Sequence, residues 1–355
     1  MNLLTNGRLT RLIVIATSMI IILLITLILK TLKVVFIPLV FAIFISFLYA
    51  PLNRILMNYK VHVIARIFLL IFILFVITYI IVSLGFTGLS RFISEFPAYQ
   101  PMFIDLLANV GAKLRIPEEN VQLFIESQLN IFGIINSFSI NRIIIFIANN
   151  LVAIFGYYTL ILFFSVFFLT DDKHFILKLI QLFFLDKDKS EIIIRKIENQ
   201  LNVYILSKTF INLSASFLSA LAIFFIGVDF PILSGFLIFS FGYIPEIGSV
   251  IAAMFPILFC FLKFGMSWQL FATIASLVVI NSTFGNYLEP KLMGHQFNIS
   301  PILIIVVLIL WGWIWGPIGM IFAVPITVIL NIIVKELDNF KGLRSILEIK
   351  ETNNL

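Results

Sequence analysis

Apolar residues in this chain do not recur one or two per turn, as on a soluble amphipathic helix. They run on for one to two dozen positions and stop at charges or prolines. Leu12 to Leu29 is the first run, flanked by Arg8, Arg11, Lys30 and Lys33. Val34 to Leu52, with Pro38 near its start and Pro51 at its end, is the second, and Val63 to Gly88 the third. Ile143 to Thr170 and Phe210 to Val228 continue the series. At about 1.5 Å of rise per residue, such runs can cross the roughly 30 Å of a bilayer's hydrocarbon core. They predict an all-α integral membrane protein with about eight hydrophobic segments, two of them broken.

Two stretches depart from this pattern. Between Arg91 and Arg142 no apolar run is long enough to span; Tyr99, Phe103, Leu106, Val110 and Leu114 recur at helical spacing, as do Val121, Phe124, Ile125, Gln128 and Phe132. Two amphipathic helices on the extracytoplasmic face are expected, as a surface cap or as a contact with the pathway or a neighbouring subunit. Between Asp171 and Lys208 acidic and basic residues mix, with Phe175, Leu179, Leu182 and Phe183 on one interfacial helix and Ile193, Ile197, Leu201 and Tyr204 on another, facing the cytoplasm. The chain then divides into a three-helix region (1–90), an extracytoplasmic insertion (91–142), a fourth helix with cytoplasmic helices (143–208), a core with the broken segments (209–335) and a tail (336–355).

Within that core, Phe241-Gly-Tyr-Ile-Pro-Glu-Ile-Gly248 interrupts the apolar tract from Pro231 to Leu262. The flanks Ile232 to Ile244 and Ser249 to Leu262 give about 20 Å of helix each, short of a full crossing. A hairpin dipping in from outside, with Pro245 to Gly248 at its tip, fits these lengths. Pro245 lacks an N–H and Gly248 permits positive φ, so the tip is expected to expose backbone groups that only protein or a water-filled cavity can satisfy. Trp268 to Leu288 reads as a full helix, ending in Asn286-Tyr-Leu-Glu-Pro-Lys291. The second break, Gly312 to Gly319, lies between Pro301 to Leu310 and Met320 to Val334, and the latter contains Pro325. Paired breaks of this kind point to a substrate site near the membrane midplane. Three of the four tryptophans, Trp311, Trp313 and Trp315, sit at the second break, which equally fits an outer-surface turn between two spans.

Composition narrows the picture. Hydrophobic residues make up 61% of the chain and charged ones 12%, too little polar surface for a soluble globule. The net charge of +6 sits in Lys and Arg residues that flank apolar runs, most of them on one set of loops. That is the positive-inside pattern, with both termini cytoplasmic and membrane lipid as the partner of the apolar runs; it is not the aromatic-interleaved patch of a nucleic-acid binder. The one cysteine, Cys260, lies in an apolar tract and excludes an intramolecular disulfide and a cysteine metal cluster.

Candidate chemistry is sparse. Glu246 is the one acidic residue within a candidate hairpin, where it could bind a proton or cation or cap a helix N-terminus. Glu289 and Lys291 flank Pro290 as a local pair, as interfacial anchors or as substrate ligands. Asn281, Ser282, Thr283 and Asn286 add polar groups for helix packing or substrate contact. Pro245, Gly248, Pro290, Pro301, Gly312, Gly316, Pro317, Gly319 and Pro325 are the breaks expected to line a pathway. The sequence has no H-E-x-x-H, no G-x-S-x-G and no P-loop, and three histidines, His62, His174 and His295, in loops or at helix ends. No cofactor, metal or catalytic residue is expected. A passive pore or envelope scaffold is the alternative to transport, and a membrane enzyme has the least support.

The motifs Tyr243-Ile-Pro-Glu-Ile-Gly-Ser249, Glu289-Pro-Lys-Leu-Met-Gly294, Ile299-Ser-Pro301, Gly316-Pro-Ile-Gly319 and Ala323-Val-Pro325, in this order, resemble the AI-2E (autoinducer-2 exporter-like) transporter family. The resemblance covers most of the chain and is strongest from about 200 to 335. It implies a multi-pass permease of the bacterial inner membrane, acting on a small molecule or ion as an exporter or as a Na⁺/H⁺ antiporter, and forming a homo-oligomer. Glu246 and Ser300 depart from the residues the family often places there.

Overall fold

The computed structural model describes residues 16–17, 19–21, 23–113, 140–170, 187–293 and 301–336. Among these the regular structure is helical, and seven helices are long and apolar enough to cross a membrane. The expected amphipathic helix through Val121 and Phe132, the one through Phe175 and Phe183, His174, His295, Ser300 and the tail lie outside the described residues.

Contacts divide the chain into two units. The first comprises Met1–Arg54, Gly156–Leu201 and Asn298–Leu355. Its N-terminal part is α1 (Met19–Thr31) followed by α2 (Lys33–Asn58), with Leu32 alone between them. Hydrogen bonds from Leu32 N to Ile28 O and from Phe36 N to Leu32 O carry the helical ladder past that residue. α2 runs through Pro51, where the sequence predicts an end. Its Phe41 and Phe44 rings meet Phe322 edge-on, with centroids 4.6 and 4.7 Å apart.

The second unit comprises Ile55–Phe155 and Asn202–Phe297. Helix α3 (Val63–Glu95) leads through a short turn into α4 (Tyr99–Lys113), the first of the two expected amphipathic helices. α5 (Ile140–Thr170) and α6 (Lys187–Ile226) contribute to both units. α6 corrects the sequence reading: an interfacial helix ending at Lys208 and a separate span from Phe210 are one helix of 40 residues. Lys208 sits in its middle, where a carboxylate from another segment neutralises it, as described below.

Helices α7 (Pro231–Phe241) and α8 (Ile247–Phe264) form the predicted hairpin, but unequally. α7 has 11 residues, about 16 Å; α8 has 18, about 27 Å and close to a full crossing. α7 packs against α3 and α8. On the α3 side a Cβ at Gly88 would come within 3.0 Å of the Leu233 backbone; on the α6 side one at Gly235 would meet Ala220 and the Ser216 carbonyl. Small residues thus let the backbones approach, the usual basis of helix association in lipid. At the hairpin's base Phe92, Phe96, Tyr99, Phe230, Phe255 and Phe259 form one aromatic cluster, with Phe230 and Phe259 centroids 5.3 Å apart.

α9 (Trp268–Asn281) continues as a π-helical segment, Ser282–Leu288, and a short α10 (Glu289–Met293). The plain helix expected here is therefore under-wound into a wider π turn at its polar end, a feature frequent at functional sites. In the first unit α11 (Pro301–Trp315) and α12 (Pro317–Glu336) pack together.

Candidate functional site

The tip between α7 and α8 is built differently from the expectation. Positive φ falls on Glu246, at +60°, and not on Gly248. With ψ at −55° and Ile247 N donating to Pro245 O at 2.6 Å, Glu246 is the centre of a γ-turn of the rare positive-φ kind, costly for a residue with a Cβ. Gly248 is needed for another reason: a Cβ there would overlap the Phe241 carbonyl oxygen. The tip's backbone is also better satisfied than predicted. Ile244 N donates to Phe241 O and Gly248 N to Ile244 O. The Glu246 side chain is exposed and makes no capping bond to α8, so its carboxylate is not spent on the helix terminus.

Behind this tip lies a polar face of α6. Tyr243 donates from its hydroxyl to Thr209 Oγ1 at 3.0 Å, and Gly242 packs directly on the Asn212 side chain. One turn before Asn212, Lys208 is buried and its Nζ donates to Glu289 Oε1 at 2.6 Å. Tyr204, a further turn back and also buried, lies within electrostatic reach of Glu289 and Tyr243. Side chains from α6, the tip and the start of α10 therefore converge in one unit. Such a lysine is tolerated in an apolar setting only when paired.

Of the sequence candidates, Glu289 belongs to this cluster, and Glu246, Pro245 and Gly248 form the adjoining tip. Glu289 is not a partner of Lys291, which instead lies with Nζ 5.6 Å from the Tyr287 ring centroid. Asn286 is exposed on the π-helical segment and Pro290 is exposed in α10. The sequence pattern does not single out Lys208, Thr209, Asn212 and Tyr204, because a lysine that closes a stretch of mixed charge reads as the end of a solvated face. The four-residue spacing of Tyr204, Lys208, Asn212 and Ser216 was the available signal.

The second break is tighter than its sequence. Gly312 to Gly319 is helical except at Gly316, which turns the chain at φ +68°, and Pro317 begins α12 at the position proline favours. A Cβ on Gly319 would overlap the Trp311 carbonyl oxygen, the same device as Gly248 on Phe241. Trp315 Nε1 donates to Leu29 O at 3.0 Å, and Lys30 Nζ lies 4.0 Å from the Trp313 ring centroid. Pro325 is buried inside α12, and Pro301 opens α11. These residues all belong to the first unit.

A family model described as AI-2E family transporter matches residues 17–339, nearly the whole chain and both breaks. The chain belongs to the AI-2E transporter family. A relative from Borreliella burgdorferi, whose name assigns it transport by inference and gives no substrate, is 29% identical over 321 residues, covering 89% of this chain and 84% of its own. The AI-2 transport protein TqsA of Escherichia coli K12 is 36% identical over 133 residues, 38% of each chain. YhhT of the same strain, also named for transport by inference, is 33% identical over 129 residues, 36% of this chain and 37% of its own. The AI-2E family assignment and the apolar helices make the chain a multi-pass membrane protein.

Proposed function

We propose that this AI-2E family member is a secondary transporter that moves a small molecule or ion across the bacterial inner membrane along the α7–α8 tip and the polar face of α6. The observation that carries this reading is Glu246. An ionisable side chain, with no capping role, is held at positive φ in the break of an apolar hairpin. Strain of that kind persists where the surroundings impose it, and a carboxylate within a membrane tract needs water or a partner cation. The buried pair beside the tip supports the reading, since it leaves a polar but charge-balanced wall. The positive-inside pattern of the sequence, which assigns most Lys and Arg residues to the cytoplasmic side, supports a cytoplasmic C-terminus. Proton or cation coupling at Glu246 and plain export of a neutral solute are the two forms the mechanism can take.

Flux in proteoliposomes under imposed ion and solute gradients tests the proposal. Glu246→Gln is expected to abolish or uncouple flux while leaving assembly intact. Unchanged flux removes the residue from the mechanism, and ungated conductance in the parent protein would favour a passive pore.

A further inference from the structure

The buried face of α6 offers more polar groups than the ion pair uses. Tyr204, Lys208, Asn212 and Ser216 follow one another at four-residue steps and are exposed by only 5, 6, 5 and 6%. Twelve residues of helix separate the first from the last by about 18 Å. Lys208 is taken by Glu289, and Ser216 Oγ donates to the Leu213 carbonyl at 3.0 Å. Asn212 differs from these: its Nδ2 is buried and has no hydrogen-bond partner. The other end of that amide is accounted for. Oδ1 lies where a Cβ on Gly242 would approach to 2.7 Å, so a glycine Cα–H points at the oxygen. With the oxygen end at the tip glycine, the donor end of the amide is the one left buried without an acceptor. A buried donor left without an acceptor is disfavoured, and native structures fill such places with water or ligand.

We propose that Asn212 Nδ2 is a recognition donor for an uncharged acceptor oxygen, carried either by the solute that moves past the tip or by a resident water; the solute arm rests on the transport reading above. Charge decides the class. Among the described residues the formal charges one turn away are Lys208 and Glu289, already paired at 2.6 Å, so neither is free to balance an ion at the stripe. The Tyr243 hydroxyl is spent on Thr209 Oγ1, and the Asn212 amide stays a buried donor without an acceptor at the level of Gly242.

Thermal unfolding of the purified protein in nanodiscs tests this. Asn212→Leu keeps the number of side-chain heavy atoms and removes the donor. If the donor holds an oxygen, Asn212→Leu melts several degrees lower, and Asn212→Ser, which keeps a donor, recovers part of the loss. If Asn212→Leu melts at or above the parent, the donor is an orphan and the proposal is overturned. Glycerol, as an uncharged oxygen-bearing probe, separates the two sources. A larger rise in melting temperature for the parent than for Asn212→Leu assigns the oxygen to a solute, and an equal rise assigns it to water. Should Asn212→Leu fail to assemble, Asn212→Cys in a Cys260→Ser background decides: reaction with a small neutral thiosulfonate supports the site, and no reaction overturns it. None of these readouts depends on flux, so their failure leaves the transport reading standing. An unaffected flux in Glu246→Gln likewise leaves the water arm standing.

Discussion

Lys208 Nζ lies 2.6 Å from Glu289 Oε1, joining the middle of α6 to the start of α10 across 81 positions of sequence. The lysine side chain is 7% exposed and the carboxylate 26%, so the lysine has no bulk water to fall back on. Removing one partner leaves the other uncompensated, and Glu289→Ala is expected to cost about 3–5 kcal/mol. The double variant Lys208→Met with Glu289→Leu should recover most of that, because two apolar side chains carry no desolvation penalty. Melting temperatures of the three proteins in detergent check this. A double variant no better than the single would show that the charges are required for more than mutual compensation.

Two substitutions at Glu246 separate its backbone from its carboxylate. Glu246→Gly accepts φ +60° without a Cβ and is expected to stabilise the tip by about 1 kcal/mol. Glu246→Gln keeps the strain and leaves stability within about 0.5 kcal/mol of the parent. Both remove the carboxylate, so both should lose coupled flux. A Glu246→Gly protein with full flux and raised stability would show the carboxylate to be dispensable.

Gly248 and Gly319 each face the carbonyl of the helix before them, Phe241 in one case and Trp311 in the other. Backbone cannot yield as a side chain can, so alanine at either position should open its hairpin and cost about 3 kcal/mol or more. Gly156, in α5, has open space around its Cβ position, and alanine there should be neutral or stabilising by up to about 1 kcal/mol. Expression yield and monodispersity on size-exclusion chromatography, with melting temperature, distinguish the three variants.

At the hairpin's base the Tyr99 hydroxyl donates to Asp229 Oδ2, and Lys263 Nζ lies 2.8 Å from Asp229 Oδ1. Burial above all, then the bond to Asp229, raises the Tyr99 pKa above its ordinary value. A raised pKa in the folded state means that the neutral phenol's contribution is complete below the unfolded value of about 10 and is lost only as pH rises through the folded value. Tyr99→Phe should therefore cost about 1.5 kcal/mol equally at pH 7 and pH 9. In phenolate absorbance titrations, the parent-minus-variant difference should stay flat up to about pH 10. A Tyr99 phenolate signal below pH 9 would contradict the burial.

How far the sequence was legible depended on what ends each element. Apolar runs located the spans, because hydrocarbon imposes a length and a composition. Prolines and glycines located both breaks to within a few residues. Their conformations were not legible: Gly248 looked like the residue for positive φ, yet close approach to Phe241 claims it, and Glu246 takes the strained angle instead. Charge misled at Lys208, where a lysine after a polar stretch reads as a helix end until Glu289, far along the chain, is known to meet it. The π-helical turn at Ser282–Leu288 had no sequence signal beyond its polar residues. Glu289 was legible as a candidate, but its partner was not, since a pair across two helices depends on packing that periodicity does not carry.

The central claim is that the α7–α8 tip meets an aqueous route, and thiol accessibility tests it most directly. In a Cys260→Ser background, Glu246→Cys is labelled in intact membrane vesicles with a membrane-impermeant maleimide, beside Val250→Cys one turn further along α8. Rapid labelling at 246, with little at 250, is the expected result. Labelling at 246 no faster than at 250, in a protein that is otherwise folded, would place the tip in lipid or protein and contradict the claim.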